Sequence, residues 1–256
     1  MDHLREKKRR GERITALTAY DYPTARLLDE AGIDVILVGD SLGMVVLGYE
    51  DTTEVTLAEM LHHTRAVARG VKRAVLVADL PIHTYDTADE ALANARQLMA
   101  AGAQAVKLEG GVNRISQIEA IVAAGIPLMG HIGMLPQSVR EEGGYKLKGR
   151  TPAEAELLLR DAGAVQAAGA FAVVLEIVAA ETARQITEAV QIPTIGIGSG
   201  QSCDGEILVT HDLIGLFPWF VPKFVRPETD VAAEIRKAAA AFIERTTALG
   251  RLTAKV

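Results

Sequence analysis

A chain of 256 residues, 49% hydrophobic and 23% charged, has an ordinary globular composition, which excludes disordered and collagen-like classes. Its 27 basic and 33 acidic residues leave a net charge of −6, a balance that disfavours broad contact with nucleic acid or anionic membrane. The single cysteine, Cys203, cannot form an internal disulfide and favours a reducing compartment.

Residues 1–12 are polar and lack the apolar stretch of a secretory signal. Their basic cluster (Arg5, Lys7, Lys8, Arg9, Arg10) is broken up by Glu6 and Glu12 and reads as a solvated helix face. From there the chain alternates. Short β-branched runs predict strands over residues 14–19, 35–39, 74–78, 105–108, 127–130, 172–175, 193–196 and 206–209. Helical patterns lie between them, at 57–69, 88–101, 114–124, 152–168 and 181–190. Most strands are apolar at consecutive positions, as expected of a parallel sheet covered on both faces. Eight such units within about 250 residues predict a single-domain α/β fold over residues 1–256, a TIM-type (β/α)8 barrel. An N-terminal helix and an amphipathic C-terminal helix over 231–249 complete it; an open doubly wound sheet is the alternative. Apolar runs such as 167–175 fall short of the ~18–20 residues needed to cross a bilayer, so a soluble, cytoplasmic protein is expected.

Three Ala-Gly pairs, ending in Gly32, Gly102 and Gly169, each close a helix where the backbone turns left-handed. The strands they lead into end in Asp40, Glu109 and Glu176, and a further strand runs directly into Asp79. Four carboxylates at the carboxyl ends of four strands would converge on the mouth that carries the active site in barrel enzymes. Singly, a strand-end Asp also serves as a helix cap. Together they would raise one another's pKa unless compensated, and a divalent cation such as Mg²⁺ is the natural compensation. Lys107 and Glu109, two apart on one strand, face the same way. That lysine is either a salt-bridge partner or a group for a substrate carboxylate. A hard metal, a lysine and a spare carboxylate suit enolate chemistry on an α-keto acid.

The segments Leu17-Thr18-Ala19-Tyr20-Asp21, Val38-Gly39-Asp40-Ser41-Leu42-Gly43-Met44, Asp79-Leu80-Pro81 and Val106-Lys107-Leu108-Glu109-Gly110-Gly111 resemble the ketopantoate hydroxymethyltransferase family. So do Gly130-His131-Ile132-Gly133, Pro136-Gln137-Ser138-Val139, Gly143-Gly144-Tyr145-Lys146, Gly196-Ile197-Gly198 and Cys203-Asp204-Gly205, in order along nearly the whole chain. The resemblance implies transfer of a hydroxymethyl group from 5,10-methylenetetrahydrofolate to 3-methyl-2-oxobutanoate, giving 2-dehydropantoate and tetrahydrofolate in the first step of pantothenate synthesis. It implies Asp40 and Asp79 as Mg²⁺ ligands, with Glu109 among them or just beyond. Ser41 and Lys107, beside Asp40 and Asp79, would bind the keto acid, Glu176 would be the proton acceptor, and the assembly would be a homodecamer. A Mg²⁺-dependent lyase or mutase of the phosphoenolpyruvate mutase/isocitrate lyase type, and a non-catalytic barrel, are the other readings.

His131 would lie near the reacting carbon or be a satisfied core histidine. His62 and His63, adjacent on one helix, cannot share a metal and read as outer residues. His83 follows Asp79 closely and would line the mouth, whereas Cys203 lacks a partner for a nucleophilic role. The basic loop 143–150 reads as a lid that offers Lys146 and Lys148 to folate. The loop from Gly196 reads as a tight turn. Departures from the family pattern are Leu135 for threonine, Ala179 for proline and Ser199 for alanine.

Overall fold

The computed structural model describes residues 1–248, and Leu249, the last position of the expected C-terminal helix, lies outside them. The residues fall into two compact units, Met1–Leu208 and a second that begins at Val209.

The first unit opens with α1 (Asp2–Arg10), followed by β1 (Ile14–Thr18), α2 (Tyr22–Ala31) and β2 (Val35–Val38). Next come α3 (Leu57–Ala68), β3 (Val75–Asp79), α4 (Ala88–Ala100) and β4 (Ala105–Glu109). The second half holds α5 (Ile115–Ala123), β5 (Leu128–Gly133), α6 (Val139–Glu142), α7 (Pro152–Ala167), β6 (Ala172–Glu176), α8 (Ala180–Ala189), β7 (Thr194–Ile197) and β8 (Gly205–Leu208). All eight strands pair in sequence order, and β8 returns to β1 through Ile14↔Gly205, closing a parallel barrel. The expected (β/α)8 architecture is therefore present.

Local chemistry explains why the helices start where they do. Thr56, Thr87 and Thr151 each accept a backbone N–H three residues on, and Glu59, Glu90 and Glu154 reach back to the threonine. These reciprocal caps fix the starts of α3, α4 and α7. Of the Ala-Gly helix ends, Gly102 is the most constrained: its φ is 111°, and a Cβ there would lie 2.5 Å from that of Ala68.

Two cores result from the two-residue period of the strands. Val35, Leu37, Val75, Val77, Ala105, Met129, Ala172 and Val174 fill the barrel axis, closed from below by Leu4 of α1. Ile36, Val38, Leu76, Ala78, Val106, Leu108, Val173 and Leu175 point outward against the helices. Continuous apolar strands are the sequence signature of this double burial. The basic residues of α1 serve the same end: Lys7 pairs with Asp34 at 2.7 Å and Lys8 with Asp204 at 2.9 Å. They tie the helix to the barrel.

Every strand differs from expectation at one end or both, mostly by a single residue, and two of the differences share a physical reason. Residue 130 was expected to end its strand, yet β5 runs on through His131 to Gly133. Gly130 is an approach point for a helix: a Cβ there would meet Val165 of α7 at 2.5 Å. Gly205 likewise lies inside β8, because a Cβ would sit 2.5 Å from the Ile14 carbonyl oxygen.

In the second unit, α9 (Thr210–Leu213) and α10 (Val231–Ala248) are joined by a loop held by Glu228 N–H to Leu213 O and Val231 N–H to Ile214 O. Trp219, Phe220, Phe242 and Ile243 are exposed there. Among the described residues no helix is long and apolar enough to cross a membrane.

Candidate active site at the carboxyl end of the barrel

Inward-facing rows change character at one height. Above Val75 and Val77 stands Asp79; above Ala105 stand Lys107 and Glu109; above Met129 stands His131; above Ala172 and Val174 stands Glu176. Asp79, Glu109 and Glu176 are the last residues of their strands, and Asp40 follows two residues after β2. Strand register makes Asp79 and Lys107 direct neighbours, and likewise Glu109 and His131.

The side chains are in contact. Lys107 Nζ lies 3.0 Å from Asp79 Oδ1 and 3.3 Å from His131 Nδ1. His131 Nδ1 is 3.3 Å from Glu109 Oε1, and its Nε2 is 3.2 Å from Glu176 Oε2. Asp79 Oδ2 accepts the Asp40 backbone N–H at 3.1 Å. Asp40, Asp79, Lys107, Glu109 and His131 are all buried. Ser41 completes the group, with its hydroxyl 2.8 Å from that of Tyr20.

Burial and like charge dominate the electrostatics. Burial first, then Asp79 and Glu109, push the Asp40 carboxyl well above the usual carboxylate range. Burial raises Asp79 too, although Lys107 opposes it. For Lys107, burial favours the neutral amine, but the surrounding carboxylates outweigh it and hold the ammonium above the ordinary lysine range. Burial and Lys107 press His131 down, and the pairings with Glu109 and Glu176 prevail, leaving it at about 9. The site gathers more buried negative charge than one lysine offsets comfortably.

A hard cation fits this set. Asp40, Asp79 and Glu109 bring buried carboxylates together, and the groups facing Asp79 Oδ1 and Glu109 Oε1 are Lys107 and His131, which offset only part of that charge. Among the described residues no group of three His, Cys, Asp or Glu side chains is close enough to enclose a metal by itself. A site for Mg²⁺ here would accordingly be open, with one or two carboxylates and places left for water and substrate.

The remaining residues singled out in the sequence fall elsewhere. His63 Nδ1 lies 2.6 Å from the Tyr20 carbonyl oxygen, His62 is exposed, and His83 is exposed with Asp86 3.7 Å away. Cys203 is buried, and burial pushes its thiol up. In the loop 143–150, the ammonium groups of Lys146 and Lys148 both engage Glu142. Leu135 lines a cleft of about 390 Å³ with Gly110, Asn113, Ile132, Leu158 and Asp161. Ser199 is buried, accepting the Val178 N–H at 2.9 Å and donating to the Leu175 carbonyl at 2.7 Å. Between them Ile177 holds φ at 48°, a left-handed conformation rare for a β-branched residue.

Sequence reasoning missed Gln137 and Tyr85. Gln137 Nε2 donates to Asp40 Oδ2 at 2.8 Å, its backbone N–H donates to Glu109 Oε2 at 3.1 Å, and the Tyr85 hydroxyl bonds its Oε1. Gln137 stood within a quoted motif, but no spacing rule pointed to its partners.

A closed parallel barrel with buried ionisable groups gathered at its carboxyl mouth has the architecture of a barrel enzyme. Sequence comparison identifies which kind. The family model for ketopantoate hydroxymethyltransferase matches residues 1–249, and the chain belongs to that family. A relative from Acetivibrio thermocellus, named 3-methyl-2-oxobutanoate hydroxymethyltransferase, is 53% identical over 241 residues, covering 93% of this chain and 85% of its own. One of the same name from Carboxydothermus hydrogenoformans is 53% identical over 243 residues, covering 94% and 88%. Among solved structures, a phosphonopyruvate hydrolase in complex with oxalate and Mg²⁺ superposes with a TM-score of 0.66 at 16% identity, covering 100% of this chain and 90% of that one. A phosphoenolpyruvate phosphomutase from Streptomyces platensis subsp. rosaceus gives 0.65 at 19% identity, covering 99% and 89%. At such identities these two speak to the barrel alone.

Proposed function

We propose that the enzyme transfers a hydroxymethyl group from 5,10-methylenetetrahydrofolate to 3-methyl-2-oxobutanoate, yielding 2-dehydropantoate and tetrahydrofolate by way of an enolate. The observation that carries this reading is the buried cluster of Asp40, Asp79 and Glu109 beside Lys107 at the carboxyl mouth of the barrel. Asp40 and Asp79 would hold Mg²⁺, with Glu109 at or just beyond the ligand set. When bound, the ion would polarise the keto oxygen and stabilise the charge that develops there.

The chain's own residues account for the rest. Lys107 keeps its charge among the carboxylates and offers it, with the Ser41 hydroxyl, to the substrate carboxylate. Glu176, half-buried at the end of β6, removes the proton from C3. General-base catalysis of this kind contributes on the order of 10²–10⁴-fold. His131 touches Glu176 and Glu109 at once, so it orients the base from within the barrel. Loop 143–150 would close over the enolate, with Lys146 and Lys148 facing the folate tail. The exposed Ile235, Phe242 and Ile243 of α10 support a homo-oligomer, decameric as the family resemblance implies. A cytoplasmic location is part of the same proposal and follows from the metabolic role.

Proton NMR of 3-methyl-2-oxobutanoate in D₂O tests the central step. Metal-dependent loss of the C3 proton signal, abolished by Glu176→Gln, is the expected result. Absence of both exchange and product with folate and Mg²⁺ present would refute the reading.

A further inference from the structure

Each acid of the cluster has two oxygens, and they are treated differently. Asp79 Oδ2 takes the Asp40 N–H, while Oδ1 faces the Lys107 ammonium at 3.0 Å. Glu109 Oε2 takes the Gln137 backbone N–H, while Oε1 lies 3.3 Å from His131 Nδ1. Asp40 Oδ2 takes the Gln137 side-chain amide. One residue therefore serves two of the three acids, although Asp40 is 97 positions away in the chain and Glu109 is 28.

Every polar atom of the Gln137 side chain is committed. Its amide nitrogen donates to Asp40 Oδ2 at 2.8 Å and to the Leu80 carbonyl at 3.0 Å. Its amide oxygen accepts from the Tyr85 hydroxyl. Turning the amide over would set that oxygen against a carboxylate and a carbonyl, so the network admits one orientation. Tyr85 is fixed in turn: its carbonyl accepts from Gln117 Nε2 at 3.2 Å, and the Arg114 guanidinium lies 5.0 Å from the centre of its ring. Both Tyr85 and Gln137 are buried. A neutral donor suits the task, because it orients a carboxylate without the full charge by which a lysine there would repel a cation.

We propose that Gln137, locked by Tyr85, is a positioning residue of the acidic cluster, holding one oxygen each of Asp40 and Glu109 and so fixing how these acids are presented to a divalent cation. The inference rests on the Mg²⁺ reading above and extends it to residues that touch neither ion nor substrate.

Mn²⁺ serves as the probe, titrated into the enzyme and followed by the EPR signal of the free ion, with and without 3-methyl-2-oxobutanoate. Gln137→Met keeps the volume and removes both the donors and the acceptor of the side chain. It is expected to weaken Mn²⁺ binding roughly 10–100-fold, the usual effect of losing a partner that orients a metal ligand. Tyr85→Phe leaves Gln137 in place but strips its amide oxygen of the donor that anchors it, and is expected to weaken binding roughly 2–10-fold. Thermal melts in EDTA separate loss of metal from loss of folding, and Tyr85→Phe carries the test if the methionine variant does not fold. Folded variants that bind Mn²⁺ within twofold of wild type overturn this inference and leave the Mg²⁺ reading standing. A wild-type enzyme that binds no Mn²⁺ under either condition overturns both.

Discussion

Removal of the Ser199 hydroxyl is the most direct test of how the β6 end is held. That hydroxyl accepts the Val178 N–H at 2.9 Å and donates to the Leu175 carbonyl at 2.7 Å. Leu175, Val178 and Ser199 itself are all no more than 1% exposed, so water cannot readily replace the hydroxyl. Ser199→Ala orphans a buried N–H, which costs about 1–3 kcal/mol. For a chain of this size each kcal/mol lowers Tm by about 2–4 °C, so a fall of roughly 4–8 °C is expected around the middle of that range. The strained Ile177 supplies a second arm. A non-glycine residue in the left-handed region stores about 1–3 kcal/mol, and the Val178 bond helps keep it there. Differential scanning calorimetry of Ser199→Ala, Ile177→Gly and the double variant measures the coupling. The double variant should be more stable than the sum of the single changes predicts, by about 1 kcal/mol. A Tm for Ser199→Ala within 1 °C of wild type would refute the reasoning, and strict additivity would refute its second half.

Lys107→Met removes the cation from a buried carboxylate cluster and should destabilise the metal-free protein by about 3–5 kcal/mol at pH 7.5. The loss should shrink at pH 5.5, where Asp40 and Asp79 take up protons more readily; equal melting shifts at the two pH values would contradict the assignment. In EDTA, wild-type stability should fall as pH rises, because the native state holds protons on His131 that the unfolded chain releases. With a folded value of about 9 against 6.5, that contribution is complete below pH 6.5 and is lost as pH rises through about 9. It amounts to about 3 kcal/mol, and His131→Gln should flatten urea-denaturation curves across that window. Lys146→Ala with Lys148→Ala should lower kcat/KM for the folate about tenfold and leave C3 exchange unchanged, since exchange needs only the barrel residues. Steady-state kinetics with unaltered folate parameters would remove the lid from the mechanism.

Much of this was legible in the chain because two periods carried it. Consecutive apolar residues marked strands buried on both sides, and the two-residue period put Lys107 and Glu109 on one face, as observed. Strand ends located Asp79, Glu109 and Glu176 to within a residue. Glycine was the weak point. The strand over 127–130 was expected to stop at Gly130, where Val165 needs room, so His131 was set at a strand's end when it lies within β5. The Tyr85–Gln137–Asp40 chain was invisible for another reason: its members come from separate loops, 52 and 97 residues apart, and no local pattern records such a meeting.

The pairing of Asp79 with Lys107, and of Glu109 with His131, is set by neighbouring strands of a closed barrel. Their backbones lie about 4.8 Å apart, at a spacing dictated by main-chain hydrogen bonds and indifferent to side-chain identity. The charges are thus mounted on a ruler. Substitution can change what stands at each mark, but it can move the marks only by breaking the ring, so relatives that keep this barrel must revise their chemistry by exchange of residues or by their loops. Heat, denaturant or a poor ligand can turn the side chains, but the strand positions that carry them keep their spacing until the barrel itself opens.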